Sequence, residues 1–309
     1  MTIVNFSIEY DSINSRNIFT NGDTINGRII VELSKDTTIQ SLAFVGKGSA
    51  NVHWTEDEYP SQFVSHIVHH YQSGEKYYDI KQHILRDGNE TFPKGRHVFP
   101  FTFKVPDRKM PSSFKSWTCT VVHEIKAELK QSMKLTKEAK AHFTFVSKAD
   151  MDIHGLMEPQ HDCTDKSLST CGFGSISMDV HTSRMGYQQG EDLQVQVEIH
   201  NQSFRTLKPK FVLYEKQSFS AQGHRRLYRK EILKEKGEPV EAQSNKTVTK
   251  IITIPRELPT SILNSAIIKL EYKLKLTWEH LGIPREELDK VAEEKEVCLG
   301  CCPRERPDH

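Results

Sequence analysis

One pattern is written twice in this chain. Leu193, Val195, Val197 and Ile199 alternate with Gln194, Gln196 and Glu198, directly after Gly190-Glu191-Asp192. A period of two gives one apolar and one wet face, as in a half-buried strand. Upstream, Asn21-Gly22-Asp23 precedes Ile25, Gly27, Ile29, Val31 and Leu33, again alternating with polar residues. The echo holds at the same offset where Ala43-Phe44-Val45 falls on Phe211-Val212-Leu213. Val105-Pro106 followed by Pro111-Ser112-Ser113-Phe114 returns as Ile254-Pro255 followed by Pro259-Thr260-Ser261-Ile262. Val121, Glu124, Ile125, Ala127 and Leu129 return as Ile268, Glu271, Tyr272, Leu274 and Leu276. Strands resemble one another, so one match means little; several in the same order mark a duplication. The chain reads as two tandem copies of one immunoglobulin-like β-sandwich, an all-β fold.

Taken in order, the first copy is expected to occupy residues 1–148 and to close with a strand through Ala141, Phe143 and Phe145. Residues 56–74 read as polar and irregular, and 149–171 as a polar interdomain linker. The second copy is expected over 172–278. Here the repeat exposes an absence. After Leu276 the chain runs into Trp278 to Glu294, of helical composition, with Pro284 at a permitted first-turn position. The last strand of the second sandwich is therefore expected to be missing, leaving a gap, and 279–309 to be a helical or disordered tail.

Composition excludes several classes. Lys and Arg number 42 against 41 Asp and Glu, a net charge of +1, so no electrostatic footprint for nucleic acid appears. No apolar run approaches the roughly 20 residues that span a bilayer. The N-terminus has neither the basic start nor the apolar core of a signal peptide, so a cytoplasmic chain is expected, with its six cysteines as thiols. There is no Gly-x-Ser-x-Gly elbow, phosphate loop, His-Glu-x-x-His or dinucleotide turn. No catalytic residue, cofactor or metal is assigned, and the chain is expected not to be an enzyme.

Three clusters remain. His66-Ile67-Val68-His69-His70 has metal-like density but no nearby cysteine, and reads as a loop or strand surface. Cys298-Leu299-Gly300-Cys301-Cys302 looks like half a zinc knuckle; it reads as an unstructured tail with free thiols. Cys298, Cys301 and Cys302, with Cys171, are also placed as palmitoylation candidates. Arg225, Arg226, Arg229 and Lys230, reinforced by Lys234 and Lys236, form the sharpest basic patch. It reads as a solvated hairpin face, or as a contact for acidic lipid headgroups or an acidic cargo tail.

Several stretches resemble the arrestin domain-containing proteins, the α-arrestins. They are Asn21-Gly22-Asp23-Thr24 to Ile29, Gly48-Ser49-Ala50-Asn51-Val52-His53-Trp54-Thr55-Glu56 and Gly186-Tyr187-Gln188-Gln189-Gly190-Glu191. Lys126 to Leu129, Ile199 to Ser203 with Arg205, Pro209 to Tyr214 with Gln217, Pro259 to Leu263 and Ile268 to Tyr272 complete the likeness, which covers residues 1 to about 277. The resemblance implies two arrestin-like sandwiches and a non-enzymatic adaptor or scaffold in membrane-protein trafficking. Such an adaptor binds cytosolic segments of receptors or transporters for endocytosis and endosomal sorting, peripherally at the plasma membrane and endosomes. Ubiquitin ligases are partners by family only, since no Pro-Pro-x-Tyr stands in this sequence and it reads as a short form without the usual tail. The first strand, Asn5-Phe6-Ser7-Ile8, lacks the paired lysines of receptor-desensitising arrestins. The alternatives left open are a retromer-type arrestin-fold subunit of a sorting complex, a tail-less non-functional or dominant-negative form, and a metalloenzyme in a β-sandwich.

Overall fold

The computed structural model describes residues 2–58, 66–86, 88, 90–148, 155–166, 175–280 and 295–302; side chains of 161–166, 280 and 295–302 lie outside the description. The described residues are all-β, and the chain divides into two compact units. The first is Met1–Ala149 with Phe219–Arg225 and Asn264–Ile268; the second comprises the remaining residues.

The strands of the first repeat are β1 (Ile3–Tyr10), β2 (Ile18–Phe19), β3 (Thr24–Leu33), β4 (Thr37–Ile39), β5 (Ser41–Glu58) and β6 (Ile67–Leu85). They continue as β7 (Glu90–Phe92), β8 (Gly95–Lys104), β9 (Phe114–Lys115), β10 (Cys119–Lys130) and β11 (Lys137–Phe145). One sheet runs β1-β3-β8 and the other β2-β11-β10-β5-β6, with β9 beside β10 and a small β4-β7 ladder apart. The inward positions follow the alternation. Ile25, Ile29, Val31 and Leu33 of β3, Phe101 and Phe103 of β8, and Ile125, Ala127 and Leu129 of β10 meet in one buried core.

The second repeat comprises β12 (Gln160–Lys166), β13 (Ile176–Thr182), β14 (Gly186–Gln188), β15 (Asp192–Asn201), β16 (Leu207–Ala221), β17 (His224–Lys236), β18 (Ser244–Thr253), β19 (Ile268–His280) and β20 (Lys295–Cys302). Its sheets run β12-β13-β15-β18 and β14-β20-β19-β16-β17. The duplication holds strand for strand: β1-β3-β8 corresponds to β13-β15-β18, and β2-β11-β10-β5-β6 to β14-β20-β19-β16-β17. The duplicated turn is conformationally the same, with φ of +78° at Gly22 and +80° at Gly190, a region that glycine enters without steric cost.

The missing closing strand is corrected here. β20 pairs antiparallel with β19, from Tyr272 opposite Leu299 to Leu276 opposite Lys295. It also pairs parallel with β14, as Gly186 opposite Gly300. In the first copy β11 does the same, antiparallel to β10 and parallel to β2. An open edge beside the central strand β19 would leave a row of unpaired N–H and C=O groups, each costly when shielded from water. The chain satisfies them with a strand that arrives later in sequence than in the first copy. Cys298, Cys301 and Cys302 therefore lie along a ladder rather than in an unstructured tail. The helical reading of the tail is corrected at its start, since Trp278–His280 continue β19; the rest of that reading falls on 281–294, and the end of the tail on 303–309, outside the described residues.

Two further expectations change. The linker 149–171 contains β12, which pairs along its whole length with β13. The stretch 56–74 is not irregular: β5 and β6 stay paired out to Glu58 opposite Ile67. No apolar alternation announced this arm because neither of its faces is fully buried; β6 reads exposed or half-buried at every position except Tyr78.

Val297→Pro removes one backbone donor from the β20 ladder, where proline is not accommodated in a central strand. The expected outcome is a lower thermal midpoint for the second unit, by roughly 2–4 °C for each kcal/mol lost. Calorimetry of wild type and variant checks it, and equal midpoints would show that β20 does not close the sheet.

Candidate interaction surface

β5 and β6 form the longest hairpin of the first repeat. β10 covers β5 only as far as Val52, which lies opposite Cys119, so Trp54–Glu58 and Ile67–Tyr71 extend as a two-stranded arm. An isolated two-stranded ribbon needs side-chain pairs to persist. They are present. His66 Nε2 lies 2.8 Å from Asp57 and His69 Nε2 2.6 Å from Glu58. Trp54 stacks on Tyr71 at 5.3 Å between ring centroids, and His53 on His70 at 5.8 Å. His224, which belongs to the same compact unit, packs on Tyr71 at 4.5 Å. The histidine cluster is thus a strand surface, with each imidazole engaged in an ordinary cross-strand contact.

The same unit holds polar groups that period-two reading passed over. His123 sits at an inward position of β10 and is 1% exposed. Its Nε2–H donates to the Pro111 carbonyl at 3.1 Å, which leaves Nδ1 to accept from the Tyr78 hydroxyl at 3.1 Å. That assigns a neutral imidazole, and burial pushes its pKa down to about 4. Burial likewise raises the Tyr78 hydroxyl, and pushes the Cys119 thiol up to about 12, aided by the Glu75 charge. Cys119 is therefore an inert buried thiol rather than a nucleophile. Glu75 itself accepts from the Tyr77 hydroxyl at 2.7 Å, the Ser265 hydroxyl at 2.7 Å and the Ala266 N–H at 2.8 Å. One carboxylate thus ties Asn264–Ile268 to β6 within the first unit.

The basic patch lies on β17, the last strand of its sheet; among the described residues no other strand pairs with its outer side. β16 and β17 are joined by Gln222 and Gly223, with φ of +52° and +80°, the signs a type I′ hairpin turn requires. β17 carries Arg225, Arg226, Arg229, Lys230, Lys234 and Lys236 against Glu231 and Glu235. Its alternation splits the expected patch. Arg226 and Lys230 fall on one face, Arg225 and Arg229 on the other. The Arg226 guanidinium lies 5.2 Å from the Tyr228 ring, two residues along the same face. That of Arg229 lies 5.7 Å from the ring of Tyr214 on β16. Toward the base, Ile232 and Leu233 pack on the second core and Lys236 pairs with Glu279 at 3.2 Å. The strand is therefore anchored at its end and cationic, half-apolar and accessible in its middle, where Leu227 is 50% exposed.

Other candidates are placed as follows. Cys171 lies outside the described residues, as do the side chains of Cys298, Cys301 and Cys302. Asp179, Glu198 and His200 bring three potential ligand atoms within 4.8 Å of one another on β13 and β15. Glu198 is exposed and Asp179 and His200 are half-buried, and the trio is assigned no role. Among the described residues, no helix is long and apolar enough to cross a membrane.

Two tandem sandwiches share the order of their corresponding strands, with β12 added to the second, and each is closed by a strand antiparallel to its central one. Residues 6–152 match the family described as arrestin (or S-antigen), N-terminal domain, and 173–288 match its C-terminal domain. The chain belongs to the arrestin domain-containing family, a class of adaptors. It is 24% identical over 292 residues to arrestin domain-containing protein 4 of Homo sapiens, covering 92% of this chain and 68% of that one. Thioredoxin-interacting protein of Mus musculus is 23% identical over 267 residues, 83% of this chain and 65% of that one. The chain thus spans about two thirds of the length of these relatives.

A neutral buried His123 makes stability depend on pH with a definite sign. Its pKa falls from 6.5 to about 4 on folding, so between those values the unfolded chain binds the extra proton. The contribution is fully present above pH 6.5 and is lost as pH drops through the folded value, about 3 kcal/mol in all for one such group. In urea titrations from pH 7 to 4, His123→Gln should start less stable yet show a shallower loss than wild type. Parallel curves would mean that His123 does not titrate as assigned.

Proposed function

We propose that this chain is a non-catalytic arrestin-fold adaptor that captures acidic cytosolic segments of membrane receptors or transporters for endocytosis and endosomal sorting. The observation that carries the reading is β17, a long strand at the rim of its sheet with six cations against two acids. Such an edge offers an extended peptide a row of backbone partners, while flanking side chains select its composition. Arg226 and Lys230 on one face and Arg225 and Arg229 on the other meet an alternating segment on both of its sides. Strand addition therefore favours a peptide acidic at successive positions, not merely at alternate ones. Residence at the plasma membrane and endosomes follows from where such cargo is found. Recruitment of ubiquitin ligases is no part of the reading, since residues 1–309 contain no Pro-Pro-x-Tyr.

The test uses the full chain and a fluorescein-labelled peptide with a run of consecutive Glu residues flanked by Val, read by polarisation at low salt. Replacing Arg226 and Lys230 by Glu should weaken binding by roughly tenfold or more, with a steep salt dependence in wild type. Leu227→Pro, which cannot complete an edge ladder, should weaken it with all charges retained. Insensitivity to both substitutions would remove β17 as the cargo site. Sensitivity to charge alone would indicate a contact with anionic lipid or other polyanions in place of strand addition.

A further inference from the structure

Far from β17 in sequence, the β10–β11 hairpin ends in Lys130-Gln131-Ser132-Met133-Lys134-Leu135-Thr136-Lys137, with three lysines and no acid. Its two large apolar side chains are bare: Met133 is 104% and Leu135 93% exposed. The tip is nevertheless fixed. Gln131 is buried, the Lys134 N–H donates to the Gln131 carbonyl at 3.3 Å, and Lys134 Nζ donates to Thr2 Oγ1 at 3.2 Å. Met133 holds a φ of +56°. Among the described residues, the other non-glycine residues with positive φ are Asn17, Gln222 and Gln243, all amides. An unbranched apolar side chain gains nothing from that conformation and pays steric strain, so its presence at the apex calls for a reason other than the turn.

We infer that this tip is a membrane-contact element that places Met133 and Leu135 in the interface of an anionic bilayer while Lys130, Lys134 and Lys137 engage the headgroups. The choice of occupant rests on shape and charge. Two apolar side chains on a convex tip provide no contiguous face of the size that a protein partner needs, on the order of 600 Å² or more per side. A bilayer interface asks only for a few inserted apolar groups with cations behind them. Charge is complementary as well. The turn at Ser34–Asp36 adjoins the tip through Thr2, whose carbonyl accepts from the Ser34 N–H, and contributes Lys35 and Asp36. The tip and the adjoining turn together carry four lysines against one aspartate. Each lysine near an anionic surface raises partitioning about fivefold, and this contribution is screened by salt.

The full chain is mixed with vesicles of phosphatidylcholine alone, or with about a fifth phosphatidylserine, at low salt. Wild type should bind the anionic vesicles and not the neutral ones. Replacing Met133 and Leu135 together by Ser should lower binding by at least about tenfold, with circular dichroism and thermal midpoint unchanged because both side chains are exposed. Leu135→Trp should show blue-shifted emission, and quenching by brominated lipid beyond that of wild type. Both signals should survive Glu substitution of Arg226 and Lys230, which separates this site from the β17 edge. The inference is overturned by wild type that ignores anionic vesicles, by undiminished binding of the double Ser variant, or by Leu135→Trp that binds without shift or quenching.

Discussion

Each sandwich depends on a central strand paired on both sides with one face in the core. β10 alternates buried and half-buried from Cys119 to Leu129, with β5 along one edge and β11 along the other. A register slip of one residue would turn Val121, Ile125, Ala127 and Leu129 toward solvent and the charged Glu124, Lys126 and Glu128 inward. At about 25 cal/mol per Å² of apolar area, that exchange costs far more than any ladder variant recovers. β19 occupies the equivalent place with Leu270, Tyr272, Leu274 and Leu276 buried. Once those two registers are set, the flanking strands have only their order left to choose, and the duplication makes that choice twice in the same way.

This dependence explains what the sequence disclosed and what it hid. The strands that cover the cores, Ile25–Leu33, Phe99–Val105, Val121–Leu129, Leu193–Ile199 and Ile268–Leu276, could be read directly because one face of each is buried, even where, as for Phe99–Val105, the strand ends its sheet. Strands at the margin lack that constraint. Gln160–Lys166 and Ile67–Gly74 carry no apolar rhythm, since an edge or an arm need not bury a face. β20 is the instructive case. Val297, Leu299 and Cys301 do alternate with Glu296, Cys298 and Gly300, so the period was present. It was obscured by the cysteines, which suggest metal or lipid chemistry, and by the helix-like segment that delays the strand.

The polar residues inside the sandwiches were equally hidden, for a different reason. His123 stands in phase with Val121 and Ile125, so the pattern places it inward, but composition alone cannot say what satisfies it. Tyr78 and the Pro111 carbonyl come from other parts of the chain. Glu215 in the second unit is similar: buried, it accepts from the Tyr272 hydroxyl at 3.2 Å. The basic patch of β17 failed in the opposite sense. Its residues were found, but adjacency in sequence suggested one cluster where a strand distributes them to two faces.

The two repeats share topology and differ most at one equivalent position, the strand that borders the sheet beside β5 or β16. In the first copy that strand is β6, whose outer half runs on as an arm of imidazoles, carboxylates and aromatic rings that satisfy one another across the ribbon. In the second it is β17, which carries cations on both of its faces. The interior could not diverge this way, because every inward residue answers to a core partner and a register. An edge strand answers to its neighbour on one side only, and its free side is where composition can drift toward a binding function without cost to the fold. That the duplicated copies kept their central ladders and parted company at this edge follows from that freedom, since a change there leaves the core registers intact.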